Sequence, residues 1–149
     1  MATFTQVQNS LRKAGSPEKA KSSAWFFKTG KGDYGYGDKF YGITVPEQRK
    51  IAKQFYKTAS LADVTKLLQG RFHEERFTAL EILVMKFNLA IKEKDFVEQK
   101  KIYDLYLKST KYVNNWDLVD TSAEYIVGLY LANKPRAILK KLAKSQDLW

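Results

Sequence analysis

The sequence has no cysteine and one histidine, His73, among its 149 residues. Without thiols there can be no disulfide and no thiolate metal site. A lone imidazole argues equally against an all-histidine metal centre and against a histidine-based catalytic triad. No metal or other cofactor is therefore expected. No apolar run approaches the roughly 18 residues that cross a bilayer, and the start, MATFTQVQNSLRKAG, lacks the apolar centre of a signal peptide. The expectation is a cytoplasmic protein with no membrane partner. Acidic residues are also in short supply: 16 Asp and Glu stand against 26 Lys and Arg, for a formal charge of +10. Such a bias fits a polyanionic partner, with nucleic acid first, although excess lysine also serves plain solubility. With 44% hydrophobic and 28% charged residues, the chain is neither disordered nor of low complexity. One domain spanning residues 1–149 is expected.

What is present in quantity is helical periodicity. Ser16-Pro17-Glu18 reads as an N-cap with proline in the first turn, opening a helix through Ala20, Ala24 and Phe27. Val45-Pro46-Glu47 opens the next, with Ile51 and Phe55 on one side and Arg49, Lys50, Lys53 and Lys57 over the rest. Ser60 caps a helix over 61–68 that Gly70 ends. Further helices are predicted over 74–90, with Phe77, Leu80, Leu83, Val84 and Phe87 as core, over 95–108, over 114–130, and from Pro135 onward. Short connections between helices imply antiparallel neighbours stacked in pairs. The fold class is all-α, and periodicity alone leaves a bundle and an α-solenoid both open.

One segment breaks the rhythm. Residues 28–42, KTGKGDYGYGDKFYG, hold five of the eight glycines and form a loop. Gly30 to Gly35 match G-x-G-x-x-G in form, but a helix precedes them and no βαβ unit surrounds them, so a dinucleotide site is rejected. The loop is a simple connector, or else a basic and aromatic arm in which Lys28, Lys31 and Lys39, with Tyr34 and Tyr36 between them, meet a phosphate backbone. The sharpest string is YVNNWDLVD, residues 112–120. With Asn114 as cap, Asp117 falls in a capping-box position and is structural. Trp116 and Asp120 are four apart and share one helix face, where they line a cleft or simply divide between core and surface. His73 reads as a helix-start residue rather than a ligand.

The string VNNWDLVDTSAEYIVG, with AWFFKTGKGDYGYGDKFYGITVPEQR and HEERFTALEILV, resembles the DNA alkylation repair family over essentially the whole chain. The resemblance implies antiparallel helical pairs stacked as a HEAT-like α-solenoid with a basic concave face for duplex DNA. It implies a DNA glycosylase that hydrolyses the N-glycosidic bond of cationic N3- and N7-alkylpurines. By position it makes Asp120 and Trp116 the catalytic pair, and Phe26 and Thr44 residues that approach DNA; Lys28, Lys31 and Arg49 complete the expected DNA-binding set. The residues at positions 26 and 44 differ in identity from those of familiar members. The resembled proteins continue past the point equivalent to Trp149, so the chain is expected to be an N-terminal portion whose last helix offers an apolar face for self-association. The rival expectation is a non-catalytic helical scaffold that binds nucleic acid or protein, and the surroundings of Asp120 discriminate between the two.

Overall fold

The computed structural model describes residues 2–149. The chain begins with α1 (Thr3–Ala14), which buries Val7 and Leu11. Helix α2 (Pro17–Phe26) follows, started by Ser16, whose hydroxyl accepts from the Lys19 amide, and by Pro17 in its first turn. Proline also opens α3 (Val45–Phe55). The start of α4 (Leu61–Leu68) is a full capping box, with Ser60 and Asp63 satisfying each other's backbone amides. Then come α5 (His73–Lys92) and α6 (Phe96–Lys108), the latter capped by the Asp95 carboxylate. A 3-10 turn at Thr110–Tyr112 leads into α7 (Trp116–Asp120), a π-helical segment (Glu124–Gly128), α8 (Leu129–Leu131) and α9 (Ala137–Ala143). No strand occurs among the described residues; a single bridge joins Lys39 to Phe72. The fold is all-α, with its helices packed on one another in a solenoid-like stack.

Helix α5 is the axis of the stack: α1, α3, α4, α6 and α7 all pack on it. Its apolar residues Phe77, Leu80, Ile82, Leu83 and Phe87 sit in the core beside Leu11, Ile51, Leu67, Leu68 and Ile102. Each such side chain removed from water contributes about 1.5–3 kcal/mol. The first turns of α5 are buried as well, although they read His-Glu-Glu-Arg, and a buried charge requires a partner. The Glu74 carboxylate accepts from the backbone amides of Tyr41 and Gly42, at 3.0 and 2.9 Å. Glu75 accepts from the Tyr41 hydroxyl at 2.7 Å and from the Gln8 amide at 3.1 Å. Burial and the Glu75 carboxylate together push the Tyr41 hydroxyl up to about 12. The polar start of α5 thus ties the end of the glycine-rich loop and α1 to the core. Gly42 itself has φ +84°, and an added Cβ would run into the Ser16 carbonyl oxygen and the Ala20 amide. Only glycine lets the loop pass this close to α2.

The stretch expected as one helix over 114–130 is interrupted. After α7 the Ser122 amide reaches back only three residues, to the Val119 carbonyl, while the Ser122 hydroxyl donates to the Leu118 carbonyl at 2.6 Å and meets the Tyr106 hydroxyl at 2.9 Å. A serine bonded back into its own turn bends a helix, and the wider π turn that follows takes up the change of register. Tyr125 thereby lands on the same cavity as Asp120. No helix among the described residues is long and apolar enough to cross a membrane.

Candidate active site

Helices α2, α3, α5 and α7, with the π segment and the loop before α3, enclose one cavity of about 510 Å³. Its floor is aromatic. Phe27 stacks on Trp116 with ring centroids 5.5 Å apart, and on Phe40 at 5.3 Å, while the His73 ring lies 4.7 Å from Phe27 and 4.9 Å from Phe40. Phe26 meets Trp116 edge-on at 6.0 Å. Each such pair adds about 0.5–1.5 kcal/mol beyond the area it buries, so Trp116 is held by two rings that both come from the end of α2. Its remaining surface is open to the cavity: Trp116 is 37% exposed.

Under the aromatic floor lies a chain of charges. The His73 ring contacts a carboxylate through each nitrogen, with Nδ1 2.7 Å from Asp38 and Nε2 2.6 Å from Asp117. Arg76 donates to the other Asp38 oxygen at 2.6 Å and to the Gly70 carbonyl at 3.0 Å. Burial works against the charged imidazole, but the hydrogen bonds to Asp117 and Asp38 outweigh it and raise the pKa of His73 above its ordinary value. Burial likewise opposes ionisation of Asp38, yet the His73 hydrogen bond and the Arg76 charge hold its carboxyl below the usual range. The imidazolium therefore locks α7 through Asp117 to the start of α5 and to the glycine-rich loop through Asp38. No group of three or more ligating side chains that would hold a metal ion exists among the described residues.

Asp120 differs from every carboxylate in this chain of charges. It is exposed, lines the cavity one turn beyond Trp116, and its carboxylate has no hydrogen bond or ion pair with any described residue. Arg49, also on the cavity wall, approaches Glu81 at 3.4 Å, and the same Glu81 oxygen accepts a short hydrogen bond from the Thr121 hydroxyl. Glu81 is thus committed to holding α3, α5 and the end of α7 together, while Asp120 is left free. A solvated carboxylate beside an indole can stabilise positive charge that develops on a bound molecule.

Of the residues singled out in the sequence, Phe26, Thr44, Arg49, Trp116 and Asp120 line this one cavity. Lys28 and Lys31 do not. Lys28 borders a neighbouring surface hollow with Trp25 and Phe26, and Lys31 is exposed on the loop. The cap of α7 is Asn115 rather than Asn114: its side-chain oxygen accepts from the Trp116 amide at 2.8 Å, and the residue is fully buried. Asp117, expected as a capping-box residue, instead spends its carboxylate on His73. The places of Phe27, Phe40 and Tyr125 on the cavity wall and the role of His73 escape a reading of the sequence. Their only trace there is a lone histidine followed by Glu-Glu-Arg at a helix start, a pattern that also fits a solvated first turn. A family model described as DNA alkylation repair enzyme matches residues 7–149. No curated protein and no solved structure gives a match.

Proposed function

Because the chain belongs to the family of DNA alkylation repair enzymes, we propose that it is a DNA glycosylase that removes cationic N3- and N7-alkylpurines from duplex DNA. The observation that supports this reading most is the state of Asp120. A carboxylate without a partner among the described residues, on the wall of an aromatic cavity in a protein of net charge +10, is poorly suited to holding phosphate and well suited to meeting a cation. Alkylation at N3 or N7 already places positive charge on the purine, so the leaving group needs no general acid. The barrier lies in the deoxyribose, which becomes oxocarbenium-like as the bond to nitrogen breaks. Asp120 stabilises that charge electrostatically and orients the water that attacks the anomeric carbon. Trp116, partly exposed on the cavity wall, packs against the cationic sugar or base, an interaction worth about 0.5–2 kcal/mol.

Around this pair Phe26 and Thr44 line the approach of the strand, while Arg49, Lys28 and Lys31 meet phosphates. The helical stack corresponds in this reading to HEAT-like repeats within one domain over residues 1–149, working in the cytoplasm without a cofactor. The test is release of free base from a duplex carrying a single N7-methylguanine, compared with spontaneous loss. Release by the wild type that vanishes in Asp120→Asn, with duplex binding retained, supports the assignment. Binding with no release by the wild type would replace it with a non-catalytic DNA-binding scaffold.

A further inference from the structure

Helix α2 stands apart from the rest of the stack because none of its residues is fully buried. Its attachment comes instead from its two ends. At the start the Ser16 amide donates to the carbonyls of Tyr41 and Gly42, and at the finish Phe26 and Phe27 pack on Trp116. Between them lies Trp25, the most exposed large hydrophobic residue described: 83% of its surface faces solvent, and its indole makes no ring contact. A solvated tryptophan forgoes about 1.5–3 kcal/mol or more of burial, and exposed aromatics grouped like this mark a contact surface. Phe26, its neighbour, is 56% exposed.

Three features say what kind of partner fits. First, the surface is continuous with the candidate active site: the hollow on one side of Trp25 shares Ser23 and Phe26 with the Asp120 cavity. Second, the surroundings are cationic. Lys21 lines that hollow and Lys28 lines the one on the other side of Trp25. Over residues 17–39 the exposed charges are Lys19, Lys21, Lys28, Lys31 and Lys39 against Glu18 and Asp33, because Asp38 is paired with His73 and Arg76. Third, the backbone here is held in place: Lys28 takes φ 52° while its carbonyl accepts from the Gly35 amide, and the Thr29 hydroxyl donates to the Ala24 carbonyl at 2.9 Å. Trp25 is presented on a fixed helix end, not on a flexible tail.

We propose that Trp25 is a DNA-anchoring residue: its indole stacks on a base or sugar of the strand flanking the cavity, between phosphates met by Lys21 and Lys28, and so positions the reacting nucleotide over Asp120. The proposal rests on the glycosylase reading for its second half only. Stacking on a base that has lost its duplex neighbour is worth about 1–3 kcal/mol, which is about 5- to 150-fold in Kd.

The test measures binding of a labelled duplex with one tetrahydrofuran abasic-site analogue to the wild type, Trp25→Ala, Trp25→Phe and Lys21→Ala/Lys28→Ala, across a salt series. Thermal unfolding comes first, and the exposure of Trp25 predicts that Trp25→Ala changes stability by no more than about 0.5 kcal/mol. The expected result is that Trp25→Ala weakens binding at least 5-fold by the same factor at every salt concentration, with Trp25→Phe restoring most of it. The lysine variant instead flattens the salt slope, by about 0.9 for each phosphate that a lysine no longer neutralises. Base release, if the wild type performs it, shows a raised KM in Trp25→Ala with kcat changed less. Trp25→Ala binding within twofold of wild type overturns the anchor and leaves the surface to a protein partner. Loss of binding in Trp25→Ala without base release by the wild type keeps the anchor and removes the glycosylase reading, so the two failures are distinguishable.

Discussion

Replacing His73 with alanine tests the claim that a buried imidazolium holds the candidate site together. His73 is 2% exposed and contacts Asp38 and Asp117 through its two nitrogens. In its absence Asp38 keeps Arg76, but Asp117 loses its partner, and its other oxygen is already buried without one. Removing one member of a buried ion pair costs about 3–5 kcal/mol, and the stacking forgone against Phe27 and Phe40 adds about 0.5–1.5 kcal/mol for each ring pair. A total near 4–8 kcal/mol lowers Tm by about 8–32 °C at this chain length. The pH dependence carries a second signature. His73 is the sole histidine, and its folded-state pKa is raised. Its contribution is therefore fully present below the unfolded value of about 6.5 and is lost as pH rises through the folded value. Urea denaturation of the wild type and His73→Gln from pH 5 to pH 9 should show the wild-type advantage shrinking toward high pH. An alanine variant destabilised by less than about 1 kcal/mol, or a wild-type-minus-glutamine difference independent of pH, would refute the ion-pair argument.

At the acid end, Asp38, whose pKa is lowered, gives stability that is present above about 3.9 and lost as pH falls through its folded value; a midpoint of acid unfolding that moves upward in Asp38→Asn checks this. Gly42→Ala forces a left-handed backbone, about 1–2 kcal/mol in itself, and drives a methyl group into the Ser16 carbonyl and the Ala20 amide. It should lower Tm by at least about 4 °C and increase amide exchange along α2. Tyr106→Phe removes a buried hydrogen bond to the Ser122 hydroxyl, which keeps its bond to Leu118; a loss of about 0.5–1.5 kcal/mol in urea denaturation is expected. Arg49→Ala, on the wall of the Asp120 cavity, should weaken duplex binding and reduce the salt slope by about 1, read by anisotropy at several ionic strengths.

Much of the helical framework was written locally. Ser16-Pro17, Val45-Pro46, Ser60 with Asp63, and Asp95 are start signals whose hydrogen bonds or ring constraint act within one turn, so they survive any change in the surroundings. Helix α1 carries no side-chain cap, and nothing in its first residues announced it. The pairing of Trp116 with Asp120 was legible for the same reason, as four residues make one helical turn within α7. Helix starts, the loop at the glycines, the cationic bias and the shared face of Trp116 and Asp120 were thus determined by residues close together in the chain.

The tertiary structure decided the rest, because each remaining feature joins residues dozens of positions apart. Asp38, His73 and Asp117 come from the loop, α5 and α7, and their charges become tolerable only when packing brings them together. That same packing turned His-Glu-Glu-Arg from an apparent solvated first turn into the buried anchor of the fold. It drew Asp117 away from the helix cap and, by occupying Asp38, Asp117 and Glu81 with partners, left Asp120 as the carboxylate on the cavity wall with no partner among the described residues. Burial makes an unpartnered charge costly, and which charges are buried depends on the whole stack of helices rather than on any segment of the sequence.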